Sequence, residues 1–232
     1  MQRTISPTKH WIVIVLLSVL GCALLLQGGY MQAKAHFAQF LIERAFEKTL
    51  ADSQPHKPWS WADTHPVAKM RVLQQHNDSL QPLGSDLYVL AGASGRNLAF
   101  GPGLMLAGAA LGEQGNMIIA GHRDSHFMRL QYVKVGDMIE LYSTAGERVL
   151  YQITTTHVVH ETDLDVLAPT AESHLTLITC YPFDQLSGNA EYRYIVEAKP
   201  VVINPLYSLI TEGFRVRLGW LISLRPSGLF EV

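Results

Sequence analysis

Between Val67 and Ala198 the chain alternates short β-prone segments with turns that contain glycine or proline. The segments predicted as strands are VAKMRVL (67–73), SDLYVLAG (85–92), GNMIIAGHR (115–123), the two arms of a hairpin at 136–160, LTLITC (175–180) and YRYIVEA (192–198). Gly146, in the hairpin loop, supplies the positive φ that such loops often need. Many short strands with little helix between them predict an all-β domain, either a closed barrel or a sandwich.

A long apolar run precedes this β region. It extends from Trp11 to Gly29, and no Asp, Glu, Lys or Arg occurs between Lys9 and Lys34. A helix of that length can cross a hydrocarbon core of about 30 Å. Because Arg3 and Lys9 precede the run, the N-terminus is expected in the cytoplasm and the chain after Gly29 outside it.

Two other interpretations of the apolar run compete with a retained anchor. A cleaved signal peptide would use the small-x-small site Ala33-Lys34-Ala35, and a lipid could be attached at Cys22. The run is long for a signal peptide, and apolar residues continue past Cys22 for another turn. We therefore expect a single-pass membrane anchor, with the β domain outside the cytoplasm.

Spacing and composition predict five regions. These are a cytoplasmic N-terminus (1–10), a transmembrane anchor (11–29), a helical stalk with its linker (30–57), the β domain (58–203) and a C-terminal tail without a functional interpretation (204–232). The stalk is predicted from apolar residues at helical spacing, which are Ala33, Phe37, Phe40, Leu41 and Ala45. Prolines at 55, 58 and 66 are expected to end it.

The overall charge argues against a nucleic-acid partner. The formal net charge is -2, and the chain contains no dense block of lysine and arginine. A metal site is not expected either. His122 and His126 have a spacing that suits zinc on a helix, but they follow a predicted strand, and the chain contains no HExxH sequence. No cofactor is predicted.

The second of the two cysteines is the first candidate for chemistry. Cys22 lies in the apolar run and cannot sensibly pair with Cys180, which ends LTLITC. Disulfides are normal in an exported domain, so a single unpaired thiol there suggests a reactive role. The competing interpretation is structural, since a free cysteine at a strand end is often a small buried hydrophobe.

A histidine and an arginine also lie beside predicted strand ends. His122 follows NMIIAG and opens a polar loop, where a site residue can project from a rigid scaffold. Arg193 lies in YRYIVEA and offers a planar fork of charged donors. Taken alone, each is an ordinary surface residue. Together with Cys180 they could converge in space, which is all that a catalytic triad requires.

Several segments resemble the sortase family. TLITC (176–180) matches the sortase signature TLxTC, IAGHR resembles the sortase histidine segment, and YRYIVEA resembles its arginine strand. In addition, PWSWAD, SGRNLAFGPG, NMIIAGHRDSHF and TLITCYPFD are similar to the Gram-negative (class GN, marine proteobacterial) sortases. The resemblance covers roughly residues 58–198. It implies a closed eight-stranded β-barrel for the β domain, preceded by the membrane helix and stalk.

The resemblance also implies roles for particular residues. Cys180 would be the nucleophile, His122 the acid and base, and Arg193 the residue that holds the substrate or stabilises the oxyanion. Thr179 and Tyr181 are expected near the substrate or the oxyanion, and our hypothesis is that the Tyr181 backbone N–H donates to the oxyanion. The implied reaction is transpeptidation through a thioacyl-enzyme, and the likeness to the Gram-negative group implies an anchor in the inner membrane with the β domain in the periplasm.

The implied partner is an exported protein with an LPxTG-like C-terminal sorting signal, which is transferred to an amine. Two alternatives remain open. One is an exported cysteine peptidase that uses water as the acceptor, and the other is a non-enzymatic envelope module in which Cys180 packs the core. An L,D-acting cell-wall transpeptidase is disfavoured, because Thr179 precedes the cysteine and Tyr181 follows it instead of the expected Ser-His-Gly-Cys run.

Overall fold

A computed structural model describes residues 7–76, 79–184 and 190–201. Its helices are α1 (Pro7–Asp52) and the short α2 (Gly95–Leu98), with 3-10 turns at Met128–Tyr132 and Asp165–Leu167. Its strands are β1 (Pro66–His76), β2 (Ser79–Pro82), β3 (Leu87–Ala91), β4 (Gly103–Leu104), β5 (Asn116–Ala120), β6 (Met138–Ser143), β7 (Arg148–His160), β8 (His174–Tyr181) and β9 (Tyr192–Pro200). The tail predicted at 204–232 lies outside the described residues.

Eight of these strands form a closed ring. The order is β1-β3-β4-β5-β8-β9-β7-β6, and β6 then pairs antiparallel with β1, from Ala68 opposite Ser143 to Leu73 opposite Met138. The short β2 pairs with β1 outside the ring, where it extends the hairpin edge. The predicted eight-stranded barrel is therefore confirmed, and the sandwich alternative is wrong.

The side chains inside the barrel come from every second residue of each strand. Along β1 and β6, buried residues alternate with partly exposed ones, as the two-residue period of a strand requires. The largest fully buried side chains inside the barrel include Met70, Phe127, Leu130, Ile139, Leu141, Tyr151, Leu175 and Leu177. The side chains between them on each strand face outward, so the outer surface is available for a site.

One strand of the ring is absent from the sequence-based prediction. FGPG is predicted to be a turn, yet Gly103 and Leu104 form β4, which pairs parallel with β3 and antiparallel with β5. A two-residue strand is too short to show a period. A Cβ on Gly103 would lie 2.6 Å from the Gly92 carbonyl oxygen, so glycine permits the close approach that closes the ring here.

The predicted anchor and stalk belong to one continuous helix, α1. In the part of the chain that the structure describes, it is the one helix long and apolar enough to cross a membrane. The chain therefore has a candidate single-pass anchor at its N-terminal end. The helix ends at Asp52, before the first of the predicted terminating prolines.

The stalk docks on the barrel through the C-terminal part of the predicted apolar stripe and through two residues beside it. Ala45 of the stripe is buried with Ile42 and Phe46, whereas Phe37 and Phe40 of the stripe are largely exposed. The Phe46 ring packs against Tyr88 of β3, with centroids 5.5 Å apart. Helical spacing alone does not say which apolar side chains meet a partner, because that depends on where the barrel lies.

Candidate active site

Three neighbouring strands bring the predicted site residues together. Strand β8 pairs antiparallel with β9, and Cys180 lies directly opposite Arg193. On its other side β8 pairs parallel with β5, where Ala120 lies opposite Ile178. His122 is two residues beyond Ala120, just as Cys180 is two residues beyond Ile178. Cys180 and Arg193 thus lie side by side on strands about 4.8 Å apart, and His122 follows the end of the strand on the other side of β8.

The alternation of side chains places this group on the outer surface of the barrel. Leu175 and Leu177 of β8 face the core, so Cys180, an odd number of residues away, faces outward. The same parity holds for Arg193, because Val196 and Ala198 of β9 belong to the core. Cys180 is half-buried rather than enclosed in the interior. The interpretation of Cys180 as a core packing residue is therefore disfavoured.

The turn that carries His122 is fixed from beneath. Phe127 is fully buried, and its backbone N–H donates to the His122 carbonyl oxygen at 3.0 Å. A Cβ on Gly121 would lie 2.7 Å from the Phe127 ring, so the glycine lets the ring close under the turn. The His122 side chain is exposed above this support.

Three short contacts hold the Arg193 guanidinium. It donates to the Glu161 carboxylate at 2.9 Å and to the backbone carbonyl oxygens of Ala190 at 2.6 Å and Tyr192 at 3.0 Å. A guanidinium has five N–H donors. Within the part of the chain that the structure describes, two of them remain available to a substrate oxygen.

Thr179 is predicted to contact the substrate, but its position assigns it another role. Its side chain is 2% exposed and donates to the Gly121 carbonyl oxygen at 2.8 Å. This bond fixes the end of β5 against β8, which sets the level of His122 relative to Cys180. We therefore assign Thr179 to the support of the site. The Tyr181 ring stacks on Tyr194, and an oxyanion role for the Tyr181 N–H stays a prediction.

Arg123 is a support residue that the sequence did not single out. Its side chain is buried, and one guanidinium nitrogen donates to the Pro182 carbonyl oxygen at 2.7 Å. Pro182 follows Cys180 by two residues, and Arg123 follows His122 directly. The arginine thus ties the histidine turn to the segment that leaves the cysteine strand.

We predict that Arg123→Met lowers turnover of a cleavable sorting peptide by roughly 10- to 100-fold, because small displacements of reacting groups are costly. Arg123→Lys keeps a donor that can reach the Pro182 carbonyl, so it should restore part of the rate. Steady-state kinetics on both variants measures this. The matched control is Arg96→Met, since Arg96 is 77% exposed and forms a surface ion pair. Wild-type turnover by Arg123→Met would contradict the role.

The connection between β7 and β8 is held against the start of β5. Asn116 is buried, and its amide donates to the carbonyl oxygens of Val166 at 3.1 Å and Ala168 at 3.3 Å. Its side-chain oxygen accepts from the Thr176 hydroxyl at 2.7 Å. These bonds hold the connection against β5 and β8.

We predict that Asn116→Ala lowers the free energy of unfolding by about 1–3 kcal/mol, because it leaves a buried hydroxyl and two carbonyl oxygens without partners. Chemical denaturation of the full chain in detergent measures this change. Thr170, whose hydroxyl bonds within its own exposed loop, provides the control as Thr170→Ala. Equal stabilities of the two variants would contradict the role of Asn116.

His126 has a different environment from His122, although both belong to one turn. Burial lowers the pKa of His126, and the nearby charges of His122 and Arg129 lower it further. In the described part of the chain, His122 and His126 do not form a metal site with a third ligand. Among the described residues, no group of three or more His, Cys, Asp or Glu side chains could hold a metal ion.

Comparison with known proteins places these residues in a family context. A family model described as "Sortase domain" matches residues 79–201. Sortase D of Bacillus subtilis is 32% identical over 120 residues, which are 51% of this chain and 60% of that protein. Sortase A of Listeria monocytogenes is 36% identical over 100 residues, 41% of this chain and 44% of that protein. The chain thus spans less than two thirds of either relative.

Solved structures give the same result for the fold. Sortase A from Corynebacterium diphtheriae matches with a TM-score of 0.52 and 25% identity, over 62% of this chain and 65% of that one. The Clostridium perfringens Sortase D5 transpeptidase matches with a TM-score of 0.51 and 25% identity, over 69% of this chain and 89% of that one. The closer resemblance to the Gram-negative group stays a prediction.

Proposed function

Since the chain belongs to the sortase family, we propose that it is a membrane-anchored cysteine transpeptidase. Its substrate is an exported protein with an LPxTG-like C-terminal sorting signal, which it cleaves and joins to an amine. The observation that carries the proposal is the pairing of Cys180 with Arg193 on neighbouring strands, beside the strand that His122 follows. The name of the Clostridium perfringens relative, a transpeptidase, supports the same reaction.

The first half of the reaction cleaves the sorting signal. The Cys180 sulfur attacks the scissile carbonyl carbon and forms a tetrahedral oxyanion, and the proton that the thiol and the imidazole share is then held by His122. Two guanidinium donors of Arg193 stabilise this oxyanion, because fixed positive donors act most strongly where charge develops. The C–N bond then breaks, and His122 protonates the departing amine. The products are a thioester on Cys180 and the released C-terminal part of the substrate.

The second half transfers the acyl group. His122 removes a proton from the incoming amine, which attacks the thioester carbonyl. The C–S bond breaks, and the thiol regains a proton as the new amide bond forms. Glu161 keeps the arginine fork in place during both halves, since its carboxylate accepts from Arg193 at 2.9 Å. The chemistry requires no metal ion or cofactor.

The proposed location follows from α1. Residues 11–29 anchor the chain in the inner membrane, with the N-terminus in the cytoplasm and the barrel in the periplasm, because Arg3 and Lys9 precede the apolar run. A substrate that is itself held at the membrane would then meet the barrel there. The boundaries proposed for the anchor (11–29), the stalk (30–57) and the catalytic barrel (58–203) follow the sequence pattern.

The acceptor decides between a transpeptidase and the alternative, a peptidase. The full-length protein in detergent is incubated with a set of C-terminal sorting peptides, with and without added primary amines, and the products are separated by mass spectrometry. We expect the amide product to dominate once an amine is present. Hydrolysed product alone at every amine concentration would favour the peptidase. No cleavage, together with a Cys180 thiol inert to alkylation, would return Cys180 to a structural role.

A further inference from the structure

The stalk helix lies beside the barrel, and this arrangement fixes which end of the barrel approaches the membrane. We propose that the end carrying Cys180 and His122 faces the bilayer surface, so that substrates are cut within about 20 Å of it. This inference rests on the membrane anchor of the proposed function. It adds that the active-site end of the barrel faces the membrane, and it limits the distance between the scissile bond and the bilayer.

The position of the bilayer along α1 follows from its aromatic residues. Trp11 is 70% exposed and Tyr30 is 67% exposed, at the two ends of the apolar run. Nineteen residues separate them, which corresponds to about 28 Å of helix and matches the hydrocarbon thickness. Tryptophan and tyrosine are enriched at both membrane interfaces. Tyr30 therefore marks the periplasmic boundary.

The contacts of α1 with the barrel begin soon after Tyr30 and follow in order along the helix. Gln39 donates to the Phe100 carbonyl oxygen at 2.7 Å, and one turn later Glu43 accepts from the Tyr88 hydroxyl at 3.0 Å. Burial and this carboxylate raise the pKa of Tyr88, which keeps it a donor. The buried Phe46 completes the series. The barrel therefore lies beside the part of α1 between the bilayer and the C-terminal end of the helix at Asp52.

A cleft separates the membrane-proximal part of this helix from the active-site end of the barrel. Its volume is about 1050 Å³, and the helix contributes residues from Met31 to Glu43. Its opposite wall includes Ser125 and His126 of the turn that follows His122, and Arg129 of the 3-10 turn after it. This segment thus faces the helix between Met31 and Glu43, roughly 2–20 Å beyond Tyr30 along the axis.

Strand directions place the opposite end of the barrel away from the bilayer. Strands β3 and β6 both pair antiparallel with β1, so they run in the same direction. Strand β5 runs in the opposite direction, toward the His122 turn, because it pairs antiparallel with β4, which is parallel to β3. Tyr142, near the end of β6, packs against Phe46 at 6.1 Å. The turn that follows, which contains Ala145, therefore lies beyond the docked part of the stalk.

Energy transfer to the membrane tests this orientation without a known substrate. The full-length protein carries Cys22→Ser and Cys180→Ala, is reconstituted in phospholipid nanodiscs, and receives one fluorophore at a time. The labelled positions are Ala35→Cys on the stalk, Ser125→Cys on the active-site turn and Ala145→Cys at the far end. Acceptor dyes on lipid headgroups report the distance of each fluorophore from the bilayer.

We expect Ser125 to lie about as close to the bilayer as Ala35, and roughly 15 Å closer than Ala145. Equal distances for Ser125 and Ala145, or the reverse order, would overturn the inference while leaving the anchor intact. No transfer at Ala35 would mean that the helix does not hold the chain at the membrane, and would overturn the anchor itself.

A docking variant tests whether the stalk contact sets the distance. Phe46→Glu places a charge in the helix–barrel contact but leaves the barrel core unchanged, since Phe46 does not belong to that core. We expect the Ser125 distance to increase and its distribution to broaden. The matched control is Phe37→Glu, because Phe37 is 60% exposed. An unchanged Ser125 distance in Phe46→Glu, with thermal unfolding of the barrel preserved, would overturn the role of docking.

Discussion

Replacing Cys180 with alanine will lower cleavage of a sorting peptide by roughly 10⁴-fold or more, because loss of the nucleophile removes the covalent pathway. Peptide binding should be nearly unchanged, since the variant removes one sulfur from a half-buried position on the outer face. Steady-state kinetics together with a fluorescence binding assay separates the two effects. A fall in cleavage without a fall in binding is the expected pattern.

The second cysteine provides the control. Cys22 is exposed in the apolar run of α1, so Cys22→Ser should retain wild-type turnover. Substantial cleavage by Cys180→Ala would contradict the assignment of the nucleophile. A large loss in Cys22→Ser would point instead to an effect on membrane insertion, which a carbonate extraction of the membranes would detect.

Replacing His122 with glutamine will lower turnover by roughly 10²–10⁴-fold, because general acid–base catalysis usually contributes that much. Glutamine retains hydrogen-bonding capacity but cannot transfer a proton near neutral pH. Steady-state turnover of the variant and of the wild type measures this loss.

A variant of the neighbouring His126 tests which of the two histidines in this turn acts as the acid and base. His126 is partly buried beside Ser125, with its ring nitrogen 3.2 Å from the serine hydroxyl. His126→Gln should lose no more than a few-fold, because that side chain lies in the wall of the cleft beside the stalk. If His126→Gln were the variant that loses the rate, the role of His122 would be contradicted.

The all-β character of the domain was predictable from the sequence because the core positions of its strands follow a two-residue period. Strands β1 and β6 alternate buried and exposed residues, and each is long enough for the pattern to be visible. Strand β4 has two residues and shows no period, and its place in the ring depends on backbone approach at Gly103. Closure of the ring is a property of distant pairings that no local pattern contains.

The candidate site was predictable in part. The pattern predicted that Cys180, His122 and Arg193 lie beside strand ends, and the pairing places Cys180 opposite Arg193. The burial of Thr179 depends on its bond to Gly121, 58 residues away, which no local pattern shows. Arg123 gave no signal, since a charged residue in a polar loop is normally exposed and its burial depends on the carbonyl of Pro182, 59 residues away.

The most direct test of this account is the covalent intermediate on Cys180. The full-length protein is mixed with a cleavable sorting peptide and quenched in acid, and its intact mass is measured. We predict a mass increase equal to the acyl fragment, removed by hydroxylamine, mapped to the segment containing Cys180 and absent from Cys180→Ala. Cleavage of the peptide with no adduct at Cys180, or with an adduct that persists in Cys180→Ala, would contradict the proposed mechanism.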